Sequence, residues 1–217
     1  MYGEKPKDYF EESREDLVAL VTEGAHKVLE IGAASGNTGL VLKRSGKASE
    51  VVGVELCPGP AQEACAKIDR VIVGDIEKLE LPFPEEYFDY IICGDVLEHL
   101  IDPWATLRKL QRLLSRDGYL IASMPNMRYW RFIRDLAFCG KWEYEAIGLM
   151  DKTHLRFFTR KGTLQLLGSS GFQVEKVILR LVKVNSIANL ITFGIFREFL
   201  SDQILVVASR KNEKGFL

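Results

Sequence analysis

Along the chain, short apolar runs of strand length alternate with stretches whose apolar residues recur at helical spacing. The strand-type runs are KVLEIGA (27–33), EVVGVEL (50–56), RVIVGD (70–75), FDYIICGD (88–95), GYLIASMP (118–125), FQVEKVILRLV (172–182) and QILVVASR (203–210). Between them, the pattern predicts an amphipathic helix at about 9–22 and further helices at 38–44, 60–68, 103–114 and 160–169. Pro103 suits a first helical turn, where its missing N–H costs nothing. This alternation implies parallel β-α-β units. The expected fold class is α/β: a Rossmann-like, seven-stranded, mostly parallel sheet with helices on both faces. One interval breaks the rhythm, because 126–159 is long and rich in aromatic residues and arginine. It reads as a lid and substrate insertion. The stretch NSIANLITFGIFREFL (185–200) is the most apolar late segment, yet too short and interrupted to span a bilayer, and it predicts a buried or lid helix.

Composition narrows the picture. With 217 residues and 47% hydrophobic content, the chain can bury a full core, and it reads as one domain with an N-terminal helical cap at about 1–25. The formal charge of -1 gives no global footprint for nucleic acid. The opening MYGEKPKDYFEESRED is charged and lacks the apolar centre of a signal peptide, so the cytoplasm is expected. Cys57, Cys65, Cys93 and Cys139 show no metal-type spacing and read as reduced thiols, and no metal is expected. Nothing in the pattern fixes the oligomeric state.

The first strand runs into a glycine-bounded loop, KVLEIGAASGNTG, of a kind that lets a backbone approach a ligand closely. A phosphate-binding loop would follow Gly36 with lysine and Ser/Thr, whereas Asn37 and Thr38 stand there. A dinucleotide fingerprint would need glycines where Ala34 and Asn37 lie, which argues against a nicotinamide oxidoreductase. What remains is Glu30-x-Gly32-x-x-x-Gly36, which resembles the first motif of the class I S-adenosylmethionine (SAM)-dependent methyltransferases. The family usually has glycine where Ala34 stands. Glu55 ends the second strand and Asp75 the third, similar to the family's second and third motifs. CGDVLEHL after the fourth strand and SMPNMRYW after the fifth are similar to the subset that methylates small molecules such as quinone precursors and sugars. The resemblance runs continuously over 27–126.

It implies SAM as cofactor, held by Glu30, Gly32, Ala33, Ala34, Gly36, Glu55, Leu56, Asp75, Ile76, Gly94, Asp95 and Val96. In that reading Glu55 accepts from the ribose hydroxyls, Asp75 from the adenine amino group beside Ile76, and Glu30 lies near the methionine end. Taken singly, Glu55 and Asp75 read equally well as caps of helix N-termini, and Glu30 as a support for the glycine loop.

A sulfonium methyl is already activated, so the enzyme must hold a nucleophile in line with it and exclude water, without need of a metal. His154 and His99 are the base candidates, with Asp151 placed to orient an imidazole. Equally open are a helix-opening role for His99 and a packing role for His154. In the insertion, Asn126, Arg128, Tyr129, Trp130 and Arg156 are the acceptor candidates, and Arg131, Arg134 and Arg160 add charge. Arginine forks with aromatic walls suit an anionic or ring-containing small molecule. The same pattern also describes a solvated face over an aromatic stripe, and an RNA partner is the weaker reading. The expected function is SAM-dependent methyl transfer to an oxygen, less readily a nitrogen or carbon, of a small molecule by in-line displacement. The alternative is a SAM-binding regulatory or accessory protein without turnover.

Overall fold

A computed structural model describes residues 7–181 and 183–211; the first six residues of the expected cap, and Val182 at the end of the sixth strand run, lie outside the described residues. The strands are β1 (His26–Ile31), β2 (Ala48–Glu55), β3 (Arg70–Val73), β4 (Phe88–Gly94), β5 (Leu114–Pro125), β6 (Phe172–Leu181) and β7 (Ser201–Arg210). They form one sheet in the order β3-β2-β1-β4-β5-β7-β6. β1 to β5 are mutually parallel, and β7 runs antiparallel to both of its neighbours, β5 and β6.

Because side chains alternate along a strand, successive residues feed two cores. Leu29, Ile31, Val52, Val54, Ile91 and Cys93 join the cluster on one side, with Leu107 and Leu110 of α5 (Pro103–Leu113) and Leu166 and Leu167 of α7 (Arg160–Ser169). Val28, Val51 and Ile92 join the other, with Leu17 of α2 (Glu15–Val18), Leu42 of α3 (Asn37–Arg44) and Ala64 of α4 (Pro58–Ala64). Each fully buried leucine or isoleucine contributes about 1.5–3 kcal/mol, and together they fix the register of the central strands. Caps close two helices as the sequence suggests: Asp102 accepts the Ala105 N–H at 2.9 Å, and Thr159 accepts the Gly162 N–H at 3.2 Å.

Three helical expectations change. The helix at 9–22 is two short ones, α1 (Lys7–Glu11) and α2. Between them the chain bends to use its polar groups elsewhere: the Arg14 N–H donates to Thr38 Oγ1 at 3.1 Å, and Phe10 C=O accepts from the Ser35 N–H and hydroxyl. The helix at 60–68 starts earlier, as α4, with Pro58 in its first turn. The segment 185–200 is not one buried helix but α8 (Lys183–Ile191) and α9 (Arg197–Leu200), parted by Phe193 and Gly194 at φ 49° and 76°. It leaves Leu190, Ile191, Phe193 and Ile195 exposed. Within 126–159 lies α6 (Trp130–Cys139), followed by irregular chain. Among the described residues, no helix is long and apolar enough to cross a membrane.

Candidate functional site

The sheet order reverses between β1 and β4, and in such sheets the crevice beyond the carboxyl ends at the reversal is where ligands lie. A cavity of about 400 Å³ opens there. Its wall is built by the turn after β1. Gly32 has φ 72°, and its N–H and that of Ala33 donate to Val54 C=O at 2.8 and 3.1 Å. A Cβ on residue 32 would sit 2.7 Å from Val96 Cγ2, so glycine is required both by the backbone and by the neighbouring strand end. Ala34 follows at φ 48°, a left-handed conformation that its N–H secures by donating to Glu55 Oε2 at 2.8 Å. The other Glu55 oxygen accepts the Cys57 N–H at 2.8 Å. Glu55 thus ties two loops together, and each carboxylate oxygen retains a second lone pair for a ligand.

Of the twelve cofactor residues expected from the sequence, all but Gly36 line this cavity. Gly36 lies behind it: at φ 77° it opens α3, and a Cβ there would press within 3.0 Å of Ala64, so it serves helix packing. Glu30 is buried at 5% exposure, and its Oε2 has no hydrogen-bond partner within the protein. Burial raises its carboxyl to about 8, and the nearby charge of Glu55 adds to this, against the opposing pull of the Thr38 hydroxyl, the Gly39 N–H and Arg14. A buried acceptor left unpaired at the cavity wall fits a ligand carrying a cationic donor. Asp75 accepts the Glu77 N–H at 3.0 Å and pairs with Lys78 at 2.8 Å, whose hydrogen bond lowers its pKa. It therefore caps its turn while facing the cavity. Asp95, at φ 54°, accepts from Arg14, from the Ser123 hydroxyl at 3.0 Å and from Gln203 Nε2 at 2.6 Å.

Several lining residues were missed by motif reading, among them Tyr9, Phe10, Glu12 and Arg14 at the N-terminal bend, Glu77 after β3, and Leu155. A bend inside a helical pattern carries no local signal. The half-buried Arg14, whose side chain is 15% exposed, is held by Asp16 at 2.9 Å and by Asp95.

The catalytic candidates divide. His99 lines the cavity, with Nδ1 3.1 Å from Thr153 C=O and 3.0 Å from Thr153 Oγ1. His154 lies behind it, 7% exposed, with ring centroids 4.7 Å apart and Nδ1 3.1 Å from Leu149 C=O. Asp151, also buried, accepts from the Thr153 N–H and hydroxyl at 2.9 and 2.8 Å and so reaches His99 through Thr153.

The acceptor candidates stand apart from the cavity lining. The fully buried Asn126 donates through Nδ2 to Glu198 C=O at 2.7 Å and Ser201 C=O at 2.9 Å, while Oδ1 accepts the Arg128 N–H at 3.0 Å. Arg128 pairs with Glu198 at 3.0 Å and lies over the Phe199 ring. Tyr129 meets Asn185, and Trp130 carries Arg131 and Arg134 against its ring. Arg156 donates to Ile101 C=O and lines a second, more open hollow with Trp104 and Phe157.

Residues 6–177 match the profile of a family described as a methyltransferase domain. An uncharacterized methyltransferase of Bacillus subtilis is 35% identical over 100 residues, 43% of this chain and 38% of that protein. A ubiquinone biosynthesis O-methyltransferase of Azorhizobium caulinodans is 29% identical over 159 residues, 70% of this chain and 60% of that one. In both cases the chain spans less than two thirds of the relative's length. Among solved structures, a SAM-dependent methyltransferase from Archaeoglobus fulgidus superposes with a TM-score of 0.68 at 19% identity, covering 94% of this chain and 97% of that one.

Proposed function

We propose, starting from the fact that this chain belongs to the class I SAM-dependent methyltransferase family, that it moves a methyl group to an oxygen of a small hydroxyl-bearing molecule. The observation that carries the reading is the cavity at the carboxyl ends of β1, β2 and β4, with the unpaired, buried Glu30 oxygen at one wall and Glu55 at another. The cofactor supplies an electrophilic methyl on a sulfonium. The chain's own residues do the rest. The left-handed turn at Gly32 and Ala34 brings backbone to the cavity wall, the Glu55 lone pairs suit a vicinal diol, and Asp75 with Ile76 suits a flat amine-bearing ring. Glu30 suits an ammonium group.

His99 is the one imidazole candidate at the cavity wall, and a proton taken from an acceptor hydroxyl there would arrive at Nε2, because Nδ1 faces the Thr153 carbonyl. Oxygen as the acceptor atom is supported by the relatives named as ubiquinone O-methyltransferases. We further read the chain as one methyltransferase domain in which residues up to about 25 cap the cofactor and 126–159 serve as lid and acceptor wall. Free cysteines support a reducing, cytoplasmic setting. The test is calorimetry with SAM, its demethylated product and NAD, followed by incubation with pooled hydroxylated metabolites and a mass-spectrometric search for gain of one methyl group. SAM binding with a methylated product supports the proposal; SAM binding without any methylated product favours a regulatory protein, and preference for NAD sinks the reading.

A further inference from the structure

Glu98 is the least conventional side chain of the described residues. It sits in the short 3-10 turn Leu97–His99 after β4, is 1% exposed, and neither carboxylate oxygen has a hydrogen-bond partner. Its backbone carbonyl accepts the N–H groups of Leu155 and Arg156 at 2.8 and 2.9 Å, which pins the loop carrying His154 against the turn carrying His99. One ligand atom from each of Glu98, His99 and His154 lies within 4.8 Å of the others. Donors at 2.0–2.2 Å from a common ion lie about 3–4 Å apart, so small side-chain rotations would complete the set.

Two details favour a cation over a mere packing cluster. First, both imidazoles turn Nδ1 to a backbone carbonyl, His99 to Thr153 and His154 to Leu149, so each Nδ1 carries the hydrogen and Nε2 the ligating lone pair. Metal-binding histidines are oriented by such outer hydrogen bonds. Second, Glu98 is buried with both carboxylate oxygens unpartnered, a costly arrangement for a charged group. A dication would relieve that cost.

We propose that Glu98, His99 and His154 form a site for one divalent ion of the zinc class, whose open coordination position faces the cavity through His99 and takes a hydroxyl of the acceptor. Two imidazoles and one carboxylate suit borderline ions such as Zn²⁺, Co²⁺ or Fe²⁺. With the ion in place His99 Nε2 is a ligand and no longer the base: the acceptor's O–H proton passes to solvent, the O–metal bond replaces a water ligand, and the ion keeps its oxidation state. The ion's role in turnover rests on the methyltransferase reading above, whereas its binding does not. It revises the sequence expectation of no metal, which considered cysteine spacing and could not see His154 brought to His99.

The full chain, stripped with chelator, is titrated with Co²⁺ and followed by visible absorption, with Zn²⁺ as competitor and SAM calorimetry in parallel. One Co²⁺ per chain is expected, with bands of a four- or five-coordinate nitrogen–oxygen site, displaced by Zn²⁺. Glu98→Gln and His154→Ala should each weaken binding tenfold or more while SAM affinity stays within twofold, which also reports that the fold is intact. If His154→Ala fails to fold, Glu98→Gln and the wild-type spectrum still decide. No saturable Co²⁺ binding, a thiolate-type spectrum, or binding that both variants retain overturns the site. Loss of SAM binding in wild type, with Co²⁺ binding present, would instead sink the methyltransferase reading alone. With a methylated acceptor in hand, metal-free protein should lose at least tenfold in turnover and regain it with Zn²⁺; full turnover by metal-free protein overturns the ion's role.

Discussion

Replacing Glu30 by glutamine should stabilise the ligand-free protein at alkaline pH and leave it nearly unchanged in acid. Glu30 is buried at the end of β1, and its carboxyl titrates near 8 in the fold instead of near 4.5. The folded chain therefore keeps this proton up to about pH 8, while the unfolded chain releases it near 4.5. Between those values the unfolded state binds fewer protons, so stability falls as pH rises and levels off on either side of the window. From 4.5 to about 8, at about 1.4 kcal/mol per pH unit, the loss attributable to Glu30 comes to roughly 5 kcal/mol. Glutamine keeps the shape and cannot ionise. Denaturant unfolding of both proteins from pH 4 to 9 measures the effect, and the difference between the two curves isolates Glu30, because the raised carboxyl of Glu98 is common to both. The difference should be near zero at pH 4.5, open through neutrality, and reach several kcal/mol by pH 9. Parallel curves would refute the assignment of a buried, protonated Glu30. With SAM present the order should invert, the variant binding more weakly.

Glu55→Gln leaves one of the Ala34 and Cys57 N–H groups facing an amide NH₂, so it should cost about 1–3 kcal/mol in denaturant and at least tenfold in SAM affinity by calorimetry; unchanged affinity removes Glu55 from the site. Ala34→Gly relieves a left-handed alanine and should raise stability by about 0.5–1 kcal/mol, read as a higher unfolding midpoint; a lower midpoint would mean that the conformation is unstrained. Asn126→Ala abandons two carbonyls and one N–H, so it should destabilise by about 2–3 kcal/mol, and an unchanged midpoint with a raised acceptor Michaelis constant would show it to be a binding residue instead.

The strands were readable because a parallel sheet covered on both faces demands continuous apolar runs, and Val51 to Val54 or Tyr90 to Cys93 supply them. The cavity wall was readable for a related reason. It lies at strand ends, where Gly32, Glu55 and Asp95 each stand at a fixed offset from a recognisable run. Sheet order was not: β7 inserts between β5 and β6 through pairings such as Ala122 with Val206 that no local pattern announces. The N-terminal bend escaped because Arg14 and Phe10 leave helical geometry for partners at Thr38 and Ser35, contacts that local periodicity does not record. The acceptor candidates in 126–159 were chosen for chemistry, and the structure spends Asn126 and Arg128 on holding β5 to the chain entering β7.

The carboxylate of Asp95 gathers a side chain from residue 14, one from residue 123 and one from residue 203. A nascent chain emerging from the ribosome could assemble β1 to β5 and set Glu30 and Glu55 in place, yet it would lack Gln203 until almost all of the described sequence had been made. Until then Asp95, in its left-handed turn, is without one of its three side-chain donors, and the Arg14 that it pairs with has no Gln203 to lean on. Cofactor capture should therefore appear late in synthesis, when the antiparallel strand slots into the sheet, because the strand that brings Gln203 to Asp95 is also the one that joins β6 to β5.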